Sequence, residues 1–107
     1  MKMKFAGVLA FSAAMVFGLN GAVVAGDVER GESKARTCAG CHGTAGRSNV
    51  PSMFPSLAGR DAEELVELLK GYRSGEIDNA QMTPQARNLS DEDIKDLAAY
   101  YEAQEPK

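Results

Sequence analysis

Cys38-Ala39-Gly40-Cys41-His42 is the stretch on which the reading of this chain turns. It sets two thiols two residues apart and places an imidazole directly after the second. That order is the pattern for covalent attachment of a c-type haem. Each thiol can add to one of the two vinyl groups on a single porphyrin edge, and the histidine then lies under the iron. The motif therefore nominates Cys38 and Cys41 as attachment points, His42 as an axial ligand, and one haem c as the cofactor.

Plainer uses of the same residues fit less well. A closed structural zinc site needs four ligands, and His42 is the sole histidine beside only two cysteines. A thioredoxin-like dithiol sits before a helix in a fold that contains strands, and no alternating apolar run marks a strand here. A disulfide across so short a loop removes little chain entropy and stabilises poorly.

The first 25 residues have the build of a secretory leader. Lys2 and Lys4 give a basic start, Phe5 to Leu19 is mostly apolar and uncharged, and Val23-Val24-Ala25 offers short side chains before a cut ahead of Gly26. The apolar run is short for a membrane span, which takes about 20 residues, so cleavage is expected rather than anchoring. No cysteine follows the cut to carry a lipid. The expected division is residues 1–25 as leader and 26–107 as one small domain with a modest core. Loss of Lys2 and Lys4 moves the formal net charge from -3 to about -5. An acidic exported domain argues against nucleic acid and anionic membranes as partners and permits docking to basic patches on proteins.

The remaining pattern is helical. Asp27 is a good N-cap for a helix reaching about Thr37, with an inner stripe of Val28, Gly31, Ala35 and Cys38. Gly31 weakens such a helix, so close approach of another backbone is the reason to expect it there. Gly43 to Arg60 has loop chemistry but carries Met53, Phe54, Pro55 and Leu57, apolar residues that need something to cover. A second helix is signalled by Asp61 with Glu64, a capping-box pair. Leu65, Leu68, Leu69 and Tyr72 follow at helical spacing, and Gly75 stands at the C-cap position. Ile77 to Leu89 reads as loop and contains Met82. Ser90 caps a last helix with Asp91, Glu92 and Asp93 in its first turn and an apolar face of Ile94, Leu97, Ala98 and Tyr101.

Electron shuttling calls for a sixth iron ligand. Beyond the leader, the methionines are Met53 and Met82. A thioether is a soft neutral ligand that raises the reduction potential, although methionine also serves simply to fill gaps in a core. Met82 follows a full helix that can carry the chain to the opposite haem face and is favoured. Met53 stays open as the alternative on residue spacing alone.

Taken together, these residues resemble the class I c-type cytochromes of the small bacterial kind. The likeness rests on Cys38 to Gly43, Pro55-Ser56-Leu57-Ala58-Gly59, Gly71-Tyr72-Arg73-Ser74-Gly75, Met82, and Leu89-Ser90-Asp91 leading to Ala98-Ala99-Tyr100-Tyr101. The resemblance implies an all-α cytochrome c fold, about three to four helices wrapped around one covalently bound haem. It implies Met82 as the distal ligand, the Pro55 carbonyl as acceptor of the second N–H of His42, and Leu57 against the haem face. It also implies that the first and last helices cross at Gly31 with Tyr100 or Tyr101 nearby. One departure is Lys34-Ala35-Arg36, where the family commonly has a bulky aromatic.

The function expected is a periplasmic one-electron carrier with His/Met axial ligation, a monomer that docks transiently with redox protein donors and acceptors and has no stable membrane insertion after leader cleavage. No nucleophile–base constellation exists once His42 is committed, so the chain is not expected to be an enzyme. Two alternatives stand beside this: a cytochrome subunit of a periplasmic dehydrogenase such as a flavocytochrome c sulfide dehydrogenase, and a haem ligand binder with an open sixth position. Glu63, Glu64 and Glu67, or Asp91 to Asp93, offer a docking face but read more simply as solvated helix surface. Arg47, Arg60 and Arg73 are equal candidates to meet haem propionates. The bare polypeptide is expected to leave a cavity between His42 and Met82.

Overall fold

Capping chemistry starts each of the three main helices where the sequence signals it. The computed structural model describes residues 26–106, so the leader expected over 1–25 lies outside the described residues. Asp27 accepts the Arg30 N–H at 2.8 Å and opens α1 (Val28–Lys34), which tightens into a 3-10 turn over Ala35–Thr37. A four-residue α2 (Ala39–His42) follows directly. Asp61 accepts the Glu64 N–H at 3.1 Å and opens α3 (Ala62–Ser74), which ends on left-handed Gly75 with φ 90°. Only half of the expected capping box forms there, because the Glu64 carboxylate turns instead to Arg60 at 3.0 Å. Ser90 and Asp93 make a complete capping box at the start of α5 (Asp91–Glu102).

The described residues contain no strand, and α1, α3 and α5 carry the fold. Met82 departs from its expected loop. It opens a short α4 (Met82–Ala86). Five residues are too few to establish a helical apolar period, so this turn left no periodic mark in the sequence.

The core lies where α1 and α3 meet α5. Ala35, Leu65, Leu97, Ala98, Tyr100 and Tyr101 form one buried cluster, with Leu57, Val66 and Leu69 packed against it. All four residues of the expected α5 face are buried. Burial of Ile94 and Leu97 contributes on the order of 1.5–3 kcal/mol each. The α1–α5 crossing is close because Gly31 has no side chain. A Cβ there would overlap the Asp96 carbonyl oxygen and stand 2.7 Å from Tyr100 Cβ. The expected inner stripe is shorter than drawn, since Val28 is exposed.

One charged residue is drawn into this crossing. Asp96 is 1 % exposed, yet the sequence gives it the look of a surface helix residue. Its carboxylate accepts the Asp27 N–H at 2.8 Å, Arg30 Nε at 3.1 Å and Lys34 Nζ at 2.9 Å. Lys34 also pairs with Asp93 at 2.7 Å. Burial disfavours the Asp96 charge, but these three donors outweigh it and hold the group at about 2. The Lys34 hydrogen bond likewise holds Asp93 below its ordinary value. A buried carboxylate is thus fully satisfied, as its desolvation requires.

Candidate functional site

The site grows from the shortest helix. The 3-10 turn ending at Thr37 delivers Cys38, and α2 then carries Ala39 through His42 in one helical turn. His42 N–H donates to the Cys38 carbonyl at 3.0 Å, and Cys41 N–H to the same oxygen at 3.2 Å. Both thiols are free, Cys38 half-buried and Cys41 exposed. His42 is buried.

Gly43 then reverses the chain. Its φ is 88°, and a Cβ would overlap the Arg47 carbonyl oxygen, so only glycine closes α2 this tightly. A 3-10 turn over Thr44–Gly46 follows. The Gly46 carbonyl accepts from Leu57 N–H at 2.8 Å and Ala58 N–H at 3.2 Å. Ser48 N–H donates to Ser56 Oγ at 3.0 Å. These bonds fold the loop back on itself and bring Pro55 to His42. The Pro55 carbonyl lies 2.7 Å from His42 Nδ1, a contact only an Nδ1–H donor can satisfy as a hydrogen bond. The tautomer is thereby fixed with the lone pair on Nε2, and no hydrogen bond occupies that nitrogen among the described residues. The Phe54 ring stands edge-on to His42, with centroids 6.5 Å apart.

The two methionines have different settings. Met53 sits on the loop and is 64 % exposed. Met82 is half-buried at the first position of α4, its N–H donated to Asn79 Oδ1 at 2.8 Å. The far end of α4 is fixed by Ala86, which is fully buried. Each arginine considered for propionates has a protein partner here: Arg47 the Glu105 carbonyl at 2.9 Å, Arg60 the Glu64 carboxylate, and Arg73 both the Leu89 carbonyl at 3.0 Å and Asp91 at 2.7 Å. Among the described residues one surface cleft runs along Glu67, Leu68, Gly71 and Ile77, and another along Ala35, Ala39, Ala45 and Tyr101. Neither includes His42 or Met82, so the cavity expected between those residues is not one of them.

The donor set suits a c-type haem. Two unpaired thiols and an imidazole nitrogen with a free lone pair lie within one turn, and apolar Phe54 stands against the imidazole. Asn79 lies in the Ile77–Leu89 stretch that reads as loop, and nothing in that reading singles it out. The signal that could have found it is its place three residues before Met82, the spacing at which an asparagine side chain reaches a backbone N–H.

Comparison with known proteins agrees with this chemistry. Residues 27–100 match the family described as cytochrome C oxidase, cbb3-type, subunit III. Cytochrome c-554(548) of Halomonas halodenitrificans is 49 % identical over 84 residues, covering 76 % of this chain and all of that one. A thiosulfate dehydrogenase electron acceptor of Stutzerimonas stutzeri is 42 % identical over 69 residues, 64 % of this chain and 32 % of that one. Among solved structures, reduced cytochrome c4 from Pseudomonas stutzeri superimposes with a TM-score of 0.71 at 35 % identity, over 78 % of this chain and 48 % of that chain. The chain thus spans the whole of the first relative and about half of the cytochrome c4.

Proposed function

The chain belongs to the class I c-type cytochromes, haem proteins of electron transport rather than enzymes, and we propose that it is a periplasmic one-electron carrier holding one haem c through Cys38 and Cys41, with His42 and Met82 as axial ligands. Haem bound there supplies a reversible Fe(III)/Fe(II) couple.

The observation that carries the ligand set is the 2.7 Å contact from His42 Nδ1 to the Pro55 carbonyl. Pro55 fixes the imidazole's orientation, makes Nε2 the ligating nitrogen and raises its basicity. The Met82 thioether is neutral and soft, and so favours the reduced metal. Half-burial of Met82, against the exposure of Met53, supports the same choice. Phe54 limits water beside the imidazole. Among the described residues no helix is long and apolar enough to cross a membrane, which accords with a carrier that reaches its partners by diffusion.

The test is a spectrum and a mass. Protein made in a host competent for cytochrome maturation is expected to carry the mass of one porphyrin and to show a weak far-red Met-to-Fe(III) band. Met82→Leu is expected to remove that band, whereas Met53→Leu is expected to leave it. No added porphyrin mass, or a band that survives Met82→Leu, overturns the reading.

A second reading has specific support. The relative named a thiosulfate dehydrogenase electron acceptor favours a dedicated dehydrogenase partner, though not specifically a flavocytochrome. Co-purification with a dehydrogenase distinguishes it from a freely diffusing monomer.

A further inference from the structure

Asn79 is tied to Met82 more closely than any other side chain of its segment. Its Oδ1 accepts two N–H groups, from Gln81 at 2.9 Å and from Met82 at 2.8 Å. Its own backbone is held in turn by the residue after Met82: Asn79 N–H donates to Thr83 Oγ1 at 3.2 Å, and Thr83 N–H donates to the Asn79 carbonyl at 2.9 Å. Met82 is thus enclosed in a closed set of hydrogen bonds that runs from residue 79 to residue 83 and back.

The enclosing bonds fix where α4 begins. Gln81, just before Met82, has no side-chain capping bond of its own. Without Asn79 the Gln81 and Met82 N–H groups have no acceptor on the preceding loop, and the backbone at Met82 can rotate. A five-residue helix has almost no cooperativity to resist such fraying. Its other end cannot follow, because Ala86 is fully buried and Arg87 N–H is bonded to the Thr83 carbonyl at 3.1 Å. Motion released by loss of Asn79 is therefore concentrated at Met82 and the loop ahead of it.

We propose that Asn79 is a positioning residue that holds the Met82 backbone so that its thioether stays on the iron. This rests on the reading of Met82 as distal ligand. Asn79 acts through Met82 and makes no contact with the metal itself. Its function is to set how often the sulfur leaves, and hence how readily an outside ligand takes its place.

The experiment uses the oxidised, haem-loaded protein and its titration with imidazole as the competing ligand, followed by the far-red band. Loss of the two hydrogen bonds to Asn79 Oδ1 is expected to raise the apparent imidazole affinity of Asn79→Ala about tenfold, a change of about 1.4 kcal/mol. Asn79→Asp keeps the acceptor oxygen and is expected to stay within about twofold of the parent. Reduction potential should fall in Asn79→Ala. Wild-type imidazole affinity in a folded Asn79→Ala protein overturns the proposal, and so does an Asn79→Asp protein that behaves like Asn79→Ala. Should Asn79→Ala fail to accumulate, Asn79→Ser replaces it, with the shorter acceptor expected to give an affinity between parent and Asp-like values on one side and a tenfold gain on the other; parent affinity in Asn79→Ser then overturns it. Met82→Leu is run in parallel. A far-red band that persists in Met82→Leu refutes the ligand reading itself, whereas a band lost in Met82→Leu together with a parent-like imidazole midpoint in Asn79→Ala refutes only the role of Asn79.

Discussion

Asp96 concentrates the polar energetics of this molecule in one side chain. Its carboxylate joins α1, from its N-cap to its last residue, to the first half of α5 through three donors, at 1 % exposure. Asp96→Asn removes the charge that Arg30 and Lys34 face while keeping a carbonyl for the Asp27 N–H. Charge-assisted bonds of this kind contribute about 1.5–3 kcal/mol, and a loss of about 2–3 kcal/mol is expected in denaturant unfolding. The pH dependence has a definite sign. The folded group titrates at about 2, below its ordinary value of 3.8, so between these values the unfolded chain binds more protons. Stability from Asp96 is present above the ordinary value and drains away as pH falls toward about 2. Asp96→Asn should flatten that acid limb in melts taken across the window. Met53 is the opposite case. Exposed on its loop, it should tolerate Met53→Leu with stability changed by less than about 0.5 kcal/mol.

At the scale of elements, the α1–α5 crossing depends on an absence of atoms. Gly31→Ala puts a methyl group into the Asp96 carbonyl and Tyr100 Cβ, and backbone cannot step aside as a flexible side chain would. Overpacking of this sort costs about 1–3 kcal/mol, and the upper part of that range is expected for the shift in chemical denaturation. Gly40→Ala is the control: nothing lies within 4 Å of a Cβ there, so it should be neutral or slightly stabilising. How much could be read in advance divides along the same line. The haem motif, the caps of α1, α3 and α5 and the Ile94–Tyr101 face are local patterns, and they stood plainly in the sequence. Gly31 could be questioned for the same reason, as a poor helix former that needs a cause. Asp96 could not, because a charged residue between two helix-forming neighbours reads as surface until the partner helix is placed over it. Nor could α4 or the exposure of Val28, since a five-residue helix has no period and the limit of a crossing is a tertiary fact. The Lys34-Ala35-Arg36 departure also resolves only in three dimensions: Ala35 is core, while Lys34 serves the Asp96 cluster.

For the molecule as a whole, charge governs encounter. Residues 26–107 have a formal charge of about -5. Long-range attraction between unlike charges accelerates association and is screened over about 10 Å at 0.1 M salt. Electron transfer to a basic redox partner should therefore slow as ionic strength rises, measured by stopped-flow reduction, and an acidic partner should show the reverse trend. The order of the chain imposes a further condition. The crossing at Gly31 joins the first described helix to the last, so its partners are about as far apart in sequence as this domain allows. Such contacts close large loops, at a cost in chain entropy. A nascent polypeptide emerging from its N-terminal end presents residues 38–42 to the surroundings well before α5 exists to shelter the neighbouring turn. Once α5 docks, Leu97 and Tyr101 belong to the cluster against which Cys38 packs, while Cys41 stays exposed. Topology thereby gives the two sulfurs different windows: Cys38 is easiest to reach before α5 docks, and Cys41 is reachable before and after.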